Sequence, residues 1–315
     1  MIFAALLTSG NAGIEQMPTD NRAKAYGVEG GLRVIRNLDL EPSWSLKQAK
    51  EPGFMRSLIT WVGGSKGYIN SNPDHSVISE RCAVGLMRMP IGNRQPGVHV
   101  HSVTEIYIIL KGQVESFDGV GNTHRAGPLD CIYIPAGVPH GVRAIGDEDL
   151  QLVWIHDAIE KEGVSIYLDG SGPFPAAAEV SLIAFRALEP DWSAPRAAEA
   201  GHLRYAVNWV GGSDGFVNHN PSHAAINERI CVGLTVIMPG NKQALHSHRD
   251  PEIYVVLRGA GMIRHENDLV EVAPLDAIYF NAGELHGLRN HTDEPLYVMW
   301  VHEAAQRIDA ARGKE

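Results

Sequence analysis

At 315 residues the chain is long enough for two domains that each bury a core of their own. Its 44% hydrophobic and 20% charged content is that of an ordinary globular protein, and 27 Lys+Arg against 37 Asp+Glu leave a formal net charge of -10. That balance, with no Lys/Arg run of five or more, repels phosphate backbones and anionic lipid, so nucleic acid and membrane are excluded as expected partners.

Met1 to Leu7 (MIFAALL) is apolar, but it lacks a basic flank and is too short to span a bilayer. It reads as a poorly ordered start or a packing arm within an N-terminal segment 1–32, and the expected location is cytoplasmic. Cys82, Cys131 and Cys231 form no CxxC and no spaced framework, so each is expected to be a small core residue in a reducing compartment.

A repeat organises the rest. Leu40-Glu41-Pro42-Ser43-Trp44-Ser45 returns 148 residues on as Leu188-Glu189-Pro190-Asp191-Trp192-Ser193, and the run Trp61 to His75 returns as Trp209 to His223. One residue is lost before HVHSVTEIYIILKG at His99, which matches HSHRDPEIYVVLRG at His246. LDCIYIPAGVPHGVR from Leu129 then matches LDAIYFNAGELHGLR from Leu275. So small a drift in offset across more than 100 residues marks a tandem duplication. The expected division is 33–162 for the first domain, a Gly/Ser/Pro-rich linker over 163–180, 181–304 for the second and a tail over 305–315.

Within each copy, Val/Ile/Tyr-rich runs such as Ile106 to Leu110, Ile132 to Ile134 and Leu152 to Ile155 are bounded by Gly, Pro, Asn and Asp. Many short strands at regular spacing predict an all-β sandwich or barrel. Lys47 to Glu51 and residues 195–200 have the composition for a short helix before each barrel, and the Ala-rich stretch from Ala304 to Arg312 for a terminal one.

His99 and His101 stand two apart and share one face of a strand. A straight strand would carry Glu105 roughly 20 Å from His99, so the chain must reverse between them. Arg249-Asp250-Pro251 in the second copy has the turn chemistry for that, and Glu252 then opens the returning strand. A third histidine follows in PAGVPH (His140) and NAGELH (His286), at the start of a further strand. Three imidazoles and one carboxylate suit a divalent transition metal that keeps open positions, unlike the Cys-rich closed sets of structural zinc.

HxHxxxExxxxxxG followed by PxGxxH resembles the two motifs of the cupin superfamily, and two such units resemble a bicupin. The resemblance covers roughly residues 33–158 and 181–304. It implies two tandem cupin barrels of the double-stranded β-helix (jelly-roll) type, all-β with short helical segments. It also implies one metal per barrel, held by His99, His101, Glu105 and His140 and by His246, His248, Glu252 and His286. Fe(II) is the metal expected, with Mn(II), Ni(II), Cu(II) and Zn(II) as alternatives. Leu129 and Leu275 replace the glycine that opens the second motif, and Asn281 stands where Pro135 keeps the family residue. Neither change touches a ligand.

Other repeated residues have plainer readings. Asn70/Asn218, Asn72/Asn220 and His75/His223 are read as Asx-type turns rather than a pocket rim, because Asn-Pro follows. His156 and His302 are read as satisfied core or rim histidines. Arg143 and Arg289 face away from the ligands and are expected in structural ion pairs. Glu284 is read as an exposed loop carboxylate. Tyr107 and Tyr254 share the parity of Glu105 and Glu252 and are the candidate catalytic residues, lining a cavity whose apolar walls include Ile109 and Val256.

From these readings we expect a non-haem dioxygenase for a small enolic, phenolic or keto-acid substrate, working as a homo-oligomer. The alternatives are a non-redox isomerase, decarboxylase or hydrolase using the metal as Lewis acid, and a non-catalytic metal-binding protein.

Overall fold

The structure, a computed structural model, describes residues 32–65, 69–159, 165–170, 172–213, 217–265 and 268–303. In chain order the first copy supplies β1 (Arg33–Ile35), β2 (Ser57–Gly63), β3 (Val77–Ile78), β4 (Ala83–Met89), β5 (His99–Val100) and β6 (Glu105–Lys111). It continues with β7 (Gln113–Asp118), β8 (Thr123–Ala126), β9 (Cys131–Ile134), β10 (His140–Ile145), β11 (Leu150–His156) and β12 (Ile166–Tyr167). The second copy supplies β13 (Ser181–Ile183), β14 (Arg204–Gly211), β15 (Ala225–Ile226), β16 (Ile230–Ile237) and β17 (Glu252–Arg258). It ends with β18 (Gly261–His265), β19 (Asp268–Val272), β20 (Ala277–Phe280), β21 (His286–Arg289) and β22 (Leu296–Glu303).

Each barrel closes a seven-stranded sheet over a smaller one. The first pairs β13-β9-β6-β11-β4-β2-β3 with β12-β5-β10-β7-β8, and the second pairs β1-β20-β17-β22-β16-β14-β15 with β19-β18-β21. The strands of the large sheets read as continuous apolar runs because both of their faces are buried. On β6, Tyr107 and Ile109 point into the first barrel, while Ile106 and Ile108 join a core shared with Trp209, Val232 and Val255 of the second. The two large sheets thus pack against each other and form a third core between the barrel interiors. Cys82 and Cys131 lie in that shared core and Cys231 inside the second barrel, all buried and free. Burial pushes the Cys231 thiol up to about 12.

The lead-in strands cross over. β1 precedes the first barrel but pairs antiparallel with β20 of the second, setting Val34 opposite Ile278 and into the second interior. β13 precedes the second barrel and pairs with β9 of the first, setting Leu182 opposite Ile132. Arg36 secures the first exchange with hydrogen bonds of 2.7 Å to both Asp276 Oδ2 and the Glu271 carbonyl. The Phe185 amide secures the second, donating to Asp130 Oδ1 at 2.9 Å.

The two predicted helices before the barrels are turns instead. Gln48 (φ 57°) and Arg196 (φ 63°) lie in the left-handed region, which breaks a helix in its first turn whatever the composition. The helical pieces among the described residues include the 3-10 turns Asn37–Asp39 and Phe185–Ala187. The apolar start and the C-terminal stretch lie outside the described residues. No helix among the described residues is long and apolar enough to cross a membrane.

Leu129 and Leu275 also lie at positive φ, 68° and 71°, where the family motif has glycine. Both side chains pack against the shared core, and the Leu129 carbonyl accepts the indole N–H of Trp209 at 2.8 Å. Packing between the barrels offsets the backbone cost.

Candidate metal centres

The reversal after the paired histidines falls where expected. β5 holds His99, the chain turns back over Ser102 to Thr104, and β6 opens on Glu105. The Thr104 amide pins this turn by donating to Asp157 Oδ1 at 2.9 Å. β10 opens on His140, directly opposite His99 in the antiparallel register. The second copy repeats the arrangement with His246, His248, Glu252 and His286. In each set, one donor atom per residue can be chosen so that all four lie within 4.8 Å of one another.

The carboxylate is the hub of each set. Glu105 Oε2 lies 2.8 Å from His140 Nε2 and 3.2 Å from His101 Nε2; Glu252 Oε2 lies 2.9 Å from His286 Nε2 and 3.3 Å from His248 Nε2. Backbone carbonyls fix the rings. Nδ1–H of His140, His246 and His286 donates to Val138, Ala244 and Glu284 at 2.8 to 2.9 Å, which turns each Nε2 inward. Burial raises Glu105 and Glu252, but the surrounding imidazoles outweigh it and hold both well below the usual carboxylate range. Burial, followed by the His140 and His101 imidazoles, depresses His99 well below its ordinary value; burial likewise lowers His246 to about 4. A depressed imidazole at His99 and at His246 beside an ionised carboxylate suits metal ligation, so these residues fit a divalent transition metal.

His156 and His302 are not bland core residues. Each stands opposite the ligand glutamate across the β11–β6 or β22–β17 ladder, with Nε2 on the second carboxylate oxygen at 3.2 and 2.9 Å. Gln95 and Gln243, which no sequence motif marks, link the pocket tyrosines to the site. The Tyr254 hydroxyl donates to Gln243 Oε1 at 3.1 Å, and Gln243 Nε2 lies 3.3 Å from His246 Nε2. Tyr107 is hydrogen-bonded to both Glu105 and Gln95, and burial followed by the Glu105 charge raises its hydroxyl well above the ordinary value.

The Asx reading fits Asn70 and Asn218, whose Oδ1 accepts the amide two residues on, whereas Asn72 and Asn220 make long-range ties, accepting from the Thr60 and Asn208 amides and donating to the Glu41 and Glu189 carbonyls. Asn70 does both jobs: it takes the Asn72 amide and also lines the cavity at the first site. Arg143 forms the expected ion pair, 2.5 Å from Glu115, whereas Arg289 has none among the described residues. Glu284 is no exposed carboxylate. It receives the backbone and side-chain N–H of Asn281 at 2.8 and 2.7 Å, a loop tie standing in for the proline of the first copy.

A cavity of about 160 Å³ opens onto His99, His101 and Glu105. Leu46, Leu58, Ile69, Met87 and Trp154 give it apolar walls, while Thr60, Asn70, Ser71 and Gln95 supply hydrogen-bonding groups. The wall is therefore mixed rather than mostly apolar, and Ile109 sits in the interior core rather than on its surface. β12 closes one side, with Tyr167 opposite His99 and the rings 5.2 Å apart.

Fold and site together define a two-barrel protein with a three-histidine, one-glutamate centre in each barrel. The Cupin domain family model matches residues 85–156 and 233–302, one match per barrel. The chain belongs to the cupins and is a bicupin. It is 33% identical over 92 residues to dimethylsulfoniopropionate lyase DddQ of Ruegeria pomeroyi, covering 29% of this chain and 45% of the relative. It is 32% identical over 85 residues to a β-D-galactosidase of Mycobacterium tuberculosis, covering 26% of this chain and 73% of the relative. The chain thus spans less than half the length of the first relative and about three quarters of the second. Among solved structures it superposes on an oxalate decarboxylase of Bacillus subtilis with a TM-score of 0.61 at 17% identity, covering 89% of this chain and 79% of that one.

Proposed function

We propose that the first barrel is a non-redox, metal-dependent lyase that moves a proton at the carbon next to a carbonyl or carboxylate group of a small substrate. The observation that carries this reading is the Tyr107 hydroxyl. It is fully buried, joined to both Glu105 and Gln95, and on the wall of the cavity beside the ligands. A bound divalent metal would supply Lewis-acid polarisation of the substrate oxygen.

The protein's own groups do the rest. Burial and the Glu105 charge keep a proton on Tyr107, ready for a carbon that gains an electron pair when a neighbouring bond breaks. Thr60, Asn70 and Ser71 orient substrate oxygens, while Trp154, Met87 and Leu58 exclude water. A volume near 160 Å³ admits a molecule about the size of benzene. Among the described residues no Lys or Arg lines the cavity, and a bound metal would meet a carboxylate's charge there. The lyase activity of the Ruegeria relative supports the same class of chemistry.

The experiment is anaerobic turnover with Mn(II) or Fe(II) on a panel of keto acids and β-substituted carboxylates. Expected are product without oxygen and solvent deuterium at the reacting carbon. Turnover that appears only with oxygen uptake would reject the lyase. A second reading, a ferrous dioxygenase for enolic or phenolic substrates, is favoured by the apolar part of the wall and predicts that outcome.

A further inference from the structure

We propose that the second copy carries a binding site for a small-molecule polyanion, phosphorylated or polycarboxylate, in a groove of about 530 Å³ on the flank of its barrel. Arg196, His202, Lys242, Gln243, Arg264 and Arg289 line the groove, and none of the described residues lining it is a carboxylate. Arg196 is held at 2.8 Å by Glu199, whereas Lys242 and Arg289 have no acidic partner among the described residues. A backbone bridge sets those two side by side. His202 is 6% exposed, and its Nδ1 has no hydrogen-bond partner.

The first copy shows what this groove replaces. There Arg143 is neutralised by Glu115, which also holds Arg125 at 3.0 Å. Met262 occupies the place of Glu115 in the second copy and Glu271 that of Arg125, so the acid stands one strand further from Arg289, with which it forms no ion pair. Two aromatic rings have changed in the same direction. Phe54, under the Arg94 guanidinium, corresponds to His202, and Phe117, packed on Gly141, corresponds to Arg264. A ring-filled surface with an acid shared by two arginines in one copy is an open groove rimmed with cations in the other. In a chain of net charge -10, such a concentration of positive potential matches a ligand with two or more negative charges.

Titration calorimetry with inorganic pyrophosphate and with citrate, at low ionic strength, tests this and separates the phosphate arm from the carboxylate arm. Saturable binding of at least one of them, one per chain, is expected. Lys242→Gln with Arg289→Gln should weaken it by about 100-fold, roughly tenfold for each charge-assisted hydrogen bond removed. His202→Phe, which restores the ring of the first copy, should weaken it about tenfold with metal content unchanged. Arg94→Gln with Arg143→Gln, the matching change in the first copy, should leave it unaltered. Absence of saturable binding by both anions, or equal weakening in the two double variants, would overturn the site.

Discussion

His101 and His248 occupy the same place in the two barrels, yet the side chain of the first is 4% exposed and that of the second 30%. The contrast extends outward from the ligands. The first centre is walled by β12 and opens onto a small mixed cavity, while the second lies beside a groove rimmed with cations. Duplicated ligand sets have been kept while their surroundings diverged. Donor geometry and substrate access are therefore separable properties of this fold: strand register sets the first, and side chains and connections set the second.

The largest test of that separation removes ligands. His99→Ala with His101→Ala should cost one of two metal equivalents and abolish turnover; His246→Ala with His248→Ala should cost the other and leave the first-barrel chemistry in place. Metal analysis beside steady-state rates decides this, and activity that follows the second site would reverse the assignment. Tyr107→Phe is the finer version. It should lower kcat by about 10²–10⁴-fold with metal content intact, the usual span for removal of a general acid. Tyr254→Phe should change the rate by no more than a few-fold.

A third pair of variants divides stability from access. A Cβ at Gly85 would lie 2.2 Å from the Ile59 carbonyl and 2.4 Å from Trp154 Cζ2, and one at Gly233 only 2.0 Å from Trp300 Cζ2. Each Gly→Ala change should destabilise by about 1–3 kcal/mol in denaturant melts. Only Gly85→Ala should also raise KM under the proposed first-barrel activity, because Trp154 lines the cavity there.

The smallest effect is a pH dependence at the join between barrels. Asp157 is satisfied there by the Thr104 amide and the Asn227 side chain, whereas among the described residues its counterpart Glu303 takes Ser79 and Cys82 on Oε1 and keeps Oε2 unpartnered. Burial raises Glu303 above its ordinary value of 4.5. As pH rises past 4.5 the unfolded chain ionises first, so stability falls until the pH has passed the folded pKa. Glu303→Gln should flatten that fall and raise Tm at pH 7. Asp157→Asn should lower Tm, since an amide N–H would then face the Asn227 amide. Melting curves at pH 4.5 and pH 7 check both signs.

Much of this was legible in the sequence because the ligands follow local rules. Parity puts His99 and His101 on one face, the required reversal puts Glu105 at a strand start, and PxGxxH delivers His140. His156 and His302 were misread because their role depends on cross-strand register, which pairs them with a glutamate about fifty residues away. Gln95 and Gln243 carry no motif at all. The turns at Gln48 and Arg196 escaped because composition does not report a positive φ. The fate of Arg289 was hidden in Met262, on a different strand.

The crossed lead-in strands make the molecule a two-fold dimer joined into one chain. A single copy expressed alone would leave the β9 or β20 edge unpaired, and a second identical copy offers the strand that fits it. Fusion makes that encounter intramolecular, at an effective concentration in the millimolar range for a short linker. Such halves should associate when mixed, and damage to one barrel should travel to the other. Heating the intact chain should therefore melt both barrels in one cooperative step, despite two complete repeats.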